Sequence, residues 1–212
     1  MFRDRLDAAN RLADALRQYR GQHPLVLAIP RGAVPMGNII ARELNGELDV
    51  VLVRKLRAPG NPEFAIGAID ETGWSYLADY AARVGGSPQY IAAEQAEQLA
   101  VMRERRAGYT PIRPPLDPAG RIAIVVDDGL ATGATMIAAL HALRARKPQK
   151  LVCAVPVASV DALEKVSAFA DEVVCLMAPE PFYAVGQFYQ SFPQVSDDEV
   201  IALLGEAKVQ DS

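Results

Sequence analysis

The residues best suited to chemistry lie together in Val125-Val126-Asp127-Asp128-Gly129-Leu130-Ala131-Thr132-Gly133-Ala134-Thr135. Two acids precede a run of small and hydroxyl-bearing residues, where an apolar run gives way to a helical pattern. Small residues let the backbone turn tightly, so that successive N–H groups point at one centre. The first turn of the following helix adds free N–H groups and the positive end of its dipole. Together these make an anion cradle, to which Thr132 and Thr135 add hydroxyl donors. No lysine follows Gly133, so the nucleotide P-loop signature is absent. Carboxylates beside a phosphate site repel the ligand unless the ligand also brings hydroxyls and a cation. A carboxylate accepts hydrogen bonds from vicinal sugar hydroxyls and holds Mg²⁺, directly or through water. A sugar 5-phosphate satisfies both halves of the segment.

Elements that could position this turn are legible in the apolar periodicity. Leu6, Ala9, Leu12, Ala13 and Leu16 predict an amphipathic helix, broken by Gly21 and Pro24. Leu25–Ile29 reads as a buried parallel strand, Val34–Leu44 as a helix, and Leu48–Val53 as a second strand with Arg54-Lys55 at its end. Arg57–Glu63 is rich in breakers and reads as a loop, followed by a strand over Phe64–Ile69 and another over Trp74–Leu77; residues 56–75 are thus expected to form a flexible loop and hairpin insertion. A helix is predicted over Ser87–Arg106, and a rigid proline-rich connector follows it. Arg121–Val126 then reads as a strand, Thr135–Lys147 as a helix, Leu151–Val157 as a strand and Asp161–Phe169 as a helix. Glu172–Met177 is expected to be a final central strand, and Ser196-x-x-Glu199 fits a capping box opening a short helix that ends at Leu204.

Strands alternating with helices predict an α/β fold: a doubly wound, mostly parallel central sheet with helices on both faces. Ligands of such sheets bind beyond the carboxyl ends of the strands, which selects the loops after Ile29, Val53 and Val126. At 212 residues a single domain is expected over 1–212, with 178–212 as a C-terminal extension. Net charge is −4, which argues against a broad electrostatic grip on nucleic acid. Half of the residues are apolar, yet no run approaches the ~18 needed to span a bilayer, and a cytoplasmic protein is expected. Cys153 and Cys175 lie in strand-like runs and read as buried, reduced thiols. His23 and His141 read as structural or surface residues.

The segment Val125–Thr135 resembles the 5-phosphoribosyl-1-pyrophosphate (PRPP) signature of type I phosphoribosyltransferases: two hydrophobic residues, two acids, and a small-residue turn ending Thr-Gly-x-Thr. Ala131 stands where threonine or serine is common and Ala134 where glycine is common, so one hydroxyl donor is missing. Ile29-Pro30-Arg31-Gly32-Ala33 resembles the family's pyrophosphate loop, which often holds a non-proline cis peptide. Arg54, Lys55 and Arg57 open a segment resembling its mobile catalytic loop. The overall order most resembles the small, stand-alone phosphoribosyltransferase-like proteins of prokaryotes.

The resemblance implies an Mg²⁺-dependent transferase in which a nitrogenous acceptor displaces pyrophosphate from C1 of PRPP. Asp127, Asp128, Arg31, Arg54 and Lys55 are the implied catalytic residues, with Asp127 and Asp128 as metal ligands, directly or through water. Gly129, Leu130, Ala131, Thr132, Gly133, Ala134 and Thr135 would hold the 5-phosphate. Arg31, Gly32, Ala33, Arg54 and Lys55 would face pyrophosphate. Phe182, Tyr183, Phe188 and Tyr189 form the candidate acceptor hood, able either to stack on a ring or merely to cover the sheet edge. A homodimer is implied by family analogy. Two other readings exist: a PRPP-sensing regulator without turnover, and a methyltransferase, since Asp127-x-Gly129-x-Ala131-x-Gly133 loosely matches an S-adenosylmethionine loop. That loop follows the first strand of its fold and pairs with an acid ending the next strand, and neither condition holds here.

Overall fold

The computed structural model describes residues 1–210, with side chains to residue 208. Five parallel strands form the main sheet in the order β2-β1-β6-β7-β8: β1 (Leu25–Ala28), β2 (Glu47–Val50), β6 (Ile122–Val126), β7 (Lys150–Val157) and β8 (Glu172–Met177). Side chains alternate across the pleat and build two apolar layers. Val26, Ala28, Ile124, Val126, Val152 and Ala154 share one with α1 (Arg5–Ala15), α2 (Val34–Leu44) and α6 (Asp197–Gln210). Leu25, Leu27, Ala123, Val125, Leu151 and Cys153 share the other with α4 (Ala134–Arg144) and α5 (Val160–Ser167). The expected doubly wound α/β architecture is therefore present.

Three expectations need correction. Arg57–Glu63 is not a loop. β3 (Val53–Ala58) and β4 (Asn61–Asp70) pair antiparallel through a turn at Pro59-Gly60, and β5 (Ser75–Leu77) adds a third strand. Pro, Gly and Asn shape only the tip, where Gly60 has φ +70°. The buried residues of β3, Val53, Leu56 and Ala58, are masked in sequence by the charged Arg54, Lys55 and Arg57 interspersed with them. The chain also leaves the main sheet after Val50, so Arg54 and Lys55 lie inside the ribbon rather than at the end of β2. β8 is an edge strand, not a central one, with all its residues half-buried.

The long helix α3 (Pro88–Tyr109) runs beside the ribbon and binds it through Arg57–Glu94 and Arg54–Gln98 contacts. His141 of α4 stacks on Trp74 at 3.6 Å, against the opposite side of the ribbon. Ser196 and Glu199 exchange the two bonds of the expected capping box, and α6 continues to Gln210, well past Leu204. The N-terminus meets the segment ahead of α6: Phe2 N donates to Phe188 O and Gln190 N to Phe2 O, with Phe2 and Tyr189 rings 5.4 Å apart. Both cysteines are free thiols. No helix among the described residues is long and apolar enough to cross a membrane.

Candidate active site

The carboxyl ends of β1 and β6 open into a cleft of about 740 Å³, with the ribbon as one wall and the C-terminal segment as another. Asp127 to Thr135 all line it. The turn after β6 is pinned to the neighbouring loop: Leu130 N donates to Val157 O, Ser159 N to Leu130 O, and Ser159 Oγ to Ala131 O. Gly133 caps α4 with φ +79°, a conformation that favours glycine, and a Cβ there would stand 3.0 Å from Val166. The N–H groups of Ala131, Thr132 and Gly133 meet no protein acceptor among the described residues, and the first turn of α4 adjoins them. Two amides of the turn are committed internally. That of Leu130 is in the β-bridge just described, with its side chain in the core, and that of Ala134 reaches the Thr132 hydroxyl at 3.4 Å. Thr132 thus accepts within the turn as well as being available to a ligand.

The acids occupy the base of the cleft. Asp127 Oδ1 accepts from Asp128 N at 2.8 Å, and Asp128 Oδ2 accepts twice from Arg5, from Nε at 3.1 Å and from Nη2 at 3.0 Å. The second oxygen of each carboxylate has no protein donor among the described residues. Burial pushes Asp127 well above the ordinary carboxylate range, and the charge of Asp128 adds to this. Asp128 is also raised by burial, against the pull of Arg5. Gly32 passes so close that a Cβ on it would overlap Asp128 Oδ2.

Positive charge gathers at the ribbon side. Arg54, Lys55, Arg57 and Arg105 line the cleft. Arg54 is held by Gln98 at 2.8 Å, and Arg57 by Glu94 and Glu97, whereas Lys55 is exposed and its side chain makes no hydrogen bond or ion pair among the described residues. Burial, then Arg105, Arg57 and Arg31, lower the pKa of Arg54 from its high ordinary value, which marks these arginines as one electrostatic cluster. Arg31 is not among the lining residues; its Nη1 lies 3.3 Å from Asp197. Its loop carries a cis Pro30–Arg31 peptide bond, which sequence could not reveal. Gly32 lines the cleft, and Ala33 is buried with its N–H 3.4 Å from Ile29 O.

Of the four expected hood aromatics only Tyr183, 81% exposed, lines the cleft. Phe182 and Phe188 pack on each other and on the core. Tyr189 is buried, and its hydroxyl donates to Asp128 O at 2.7 Å. The ribbon and the turn after it supply aromatics instead: Phe64 of β4 and Tyr80 beyond β5, ring centroids 5.5 Å apart, face the same space.

The sequence matches the family described as the phosphoribosyl transferase domain over residues 3–190. The chain belongs to the phosphoribosyl transferase domain family. It is 44% identical over 98% of its length to a Mycobacterium tuberculosis protein named "Putative phosphoribosyl transferase", and spans 47% of that relative. The protein TT1426 of Thermus thermophilus superimposes with a TM-score of 0.80 at 48% identity, over 97% of this chain and 98% of that one. A Neisseria gonorrhoeae hypothetical protein solved with bound ppGpp shares the fold alone, at 13% identity and TM-score 0.51 over 98% of both chains.

In this phosphoribosyl transferase domain the sequence reading missed Arg5, Arg105, Phe64 and Tyr80. Arg105 belongs to a basic cluster, Arg103, Arg105 and Arg106, at the end of a predicted helix, and that cluster was the available signal. Arg5 gave none, since it lies 123 positions from its partner.

Proposed function

We propose that this domain binds PRPP and transfers its phosphoribosyl group to a nitrogenous acceptor with release of pyrophosphate. One juxtaposition carries the reading: spare main-chain amides of the Ala131–Gly133 turn stand next to two carboxylates that keep an uncommitted oxygen each, in one cleft. The turn suits a phosphate monoester, and the acids suit the ribose hydroxyls and a cation.

Burial raises the pKa of both Asp127 and Asp128, and only Asp128 has a paired cation, Arg5, so a divalent ion would add the positive charge this acid pair is short of. Among the described residues no group of three or more His, Cys, Asp or Glu could hold a metal, so the remaining ligands would come from substrate oxygens and water, as Mg²⁺ tolerates. Mg²⁺ bound there would neutralise charge growing on the leaving pyrophosphate.

In the proposed reaction the acceptor nitrogen donates its lone pair to C1, the C1–O bond breaks with its electrons going to pyrophosphate, and the proton of the nitrogen passes to the released pyrophosphate or to water. Arg54, Lys55 and Arg105 offer the leaving group positive charge. Phe64, Tyr80 and Tyr183 offer apolar faces to a flat acceptor, and the ribbon restricts water, which competes as nucleophile. A homodimer is proposed on family resemblance alone, and a cytoplasmic location on the lack of a bilayer-spanning apolar run in the sequence.

The test is incubation with PRPP, Mg²⁺ and a panel of nitrogenous bases, with pyrophosphate release as the readout. Base-dependent release supports the transferase. PRPP binding without release under any base favours the sensing regulator, and no PRPP binding removes both.

A further inference from the structure

Asp197, the first residue of α6, meets two arginines and a tyrosine. Arg31 Nη1 lies 3.3 Å from its Oδ2, Arg105 Nε 3.4 Å from its Oδ1, and Tyr109 donates its hydroxyl to Oδ1 at 2.9 Å. Two cations and one neutral donor converging on a pair of oxygens is the environment that a phosphate group requires. Arg105 at the same time lines the cleft, so this set adjoins the space where the ribbon cations gather. The helix under Asp197 is fixed by the Ser196–Glu199 capping box and by buried Val200 and Leu204. The Asp197 side chain, 48% exposed, can rotate into water, whereas Arg105 and Tyr109 are largely enclosed.

We propose that Asp197 is an internal counter-anion occupying a phosphate subsite made by Arg31, Arg105 and Tyr109, and that one end of the diphosphate displaces it. The inference rests on the PRPP reading above and deepens it, adding two residues of α3 to the leaving-group end. Its physical consequence is a conformational tax. The subsite is available only in the fraction of molecules whose Asp197 has turned away, and the apparent affinity falls by that fraction.

The probe is inorganic pyrophosphate with Mg²⁺, titrated by calorimetry into wild type and variants whose melting curves match. Asp197→Asn keeps an acceptor for Tyr109 and removes the charge, and it should tighten pyrophosphate binding about threefold or more, the scale of a partly exposed ion pair. Arg105→Gln should weaken binding, and adding Asp197→Asn to it should recover less than Asp197→Asn gains in wild type. Asp198→Asn makes the same charge change one residue along and should leave the affinity unaltered.

Equal or weaker binding by Asp197→Asn overturns the proposal, as does an equal gain from Asp198→Asn, which would reveal only a general charge effect. PRPP is titrated in parallel. Binding of PRPP by wild type with no gain in Asp197→Asn defeats this inference alone. No binding of PRPP or pyrophosphate by either protein defeats the transferase reading and this one with it.

Discussion

Arg5 grips a single oxygen of Asp128 with two nitrogens, at 3.1 Å and 3.0 Å, while its guanidinium lies 3.8 Å from the centre of the Phe192 ring. The N-terminal helix thereby holds one of the two acids in place, leaving its other oxygen for a ligand. The pair is largely enclosed, with side chains 10% and 18% exposed. Loss of one partner of an enclosed pair leaves a charge uncompensated. Arg5→Gln should therefore cost about 2 kcal/mol in denaturant unfolding and lower PRPP affinity at least tenfold. Arg5→Lys should recover part of the affinity. Asp128→Asn should cut turnover far more than stability, and equal loss of both would make Asp128 a structural acid.

Gly32→Ala tests the close approach of the loop to the same carboxylate. The added Cβ would overlap Asp128 Oδ2, so the acid or the loop must shift. We expect PRPP affinity to fall at least tenfold with a stability loss of about 1–2 kcal/mol, measured by calorimetry and thermal melting. Unchanged affinity would show that this carboxylate does not touch the ligand.

Asp127→Asn should stabilise the protein while abolishing turnover. Folding raises the pKa of Asp127 above its ordinary value of 3.8. Such a group contributes stability that is present below the ordinary value and lost as pH rises through the raised one. The variant escapes that loss. Its melting temperature should exceed wild type by roughly 2–4 °C at about pH 8, with the difference vanishing near about pH 4. A pH-independent difference would contradict the assignment.

Phe64→Ala and Tyr183→Ala, at 42% and 81% exposure, should leave stability nearly intact. If the acceptor stacks between ribbon and tail, each should raise the acceptor KM about 2- to 10-fold without moving the PRPP KM. Steady-state kinetics with both substrates varied would separate the two effects.

The helices and the main-sheet strands were legible because their buried faces repeat at fixed periods. The motif at Asp127–Thr135 was equally legible, because the turn and its acids are contiguous. What escaped depends on partners far away in the chain. Arg57 looked like part of a free basic loop, but Glu94 and Glu97 draw it onto α3. Nothing in the Arg31 loop announced Asp197, 166 positions away, as its ion-pair partner. Tyr189 could be read as a stacking platform or as cover for the sheet edge, and neither reading announced that its hydroxyl would donate to the Asp128 carbonyl, 61 positions away. Nor does an apolar run state its place in a sheet, which is why β8 was expected at the centre and is found at the edge.

The backbone knot between Phe2 and residues 188–190 has a practical corollary for anyone handling this protein. Met1 is 69% exposed but adjoins a residue that is 1% exposed and whose neighbour on the far side is Tyr189, the support of the acid pair. A purification handle spliced directly ahead of Met1 would sit one residue from the contacts that join Phe2 to Tyr189 and, through its hydroxyl, to the Asp128 carbonyl, so a cleavable leader with a flexible spacer is the safer engineering choice.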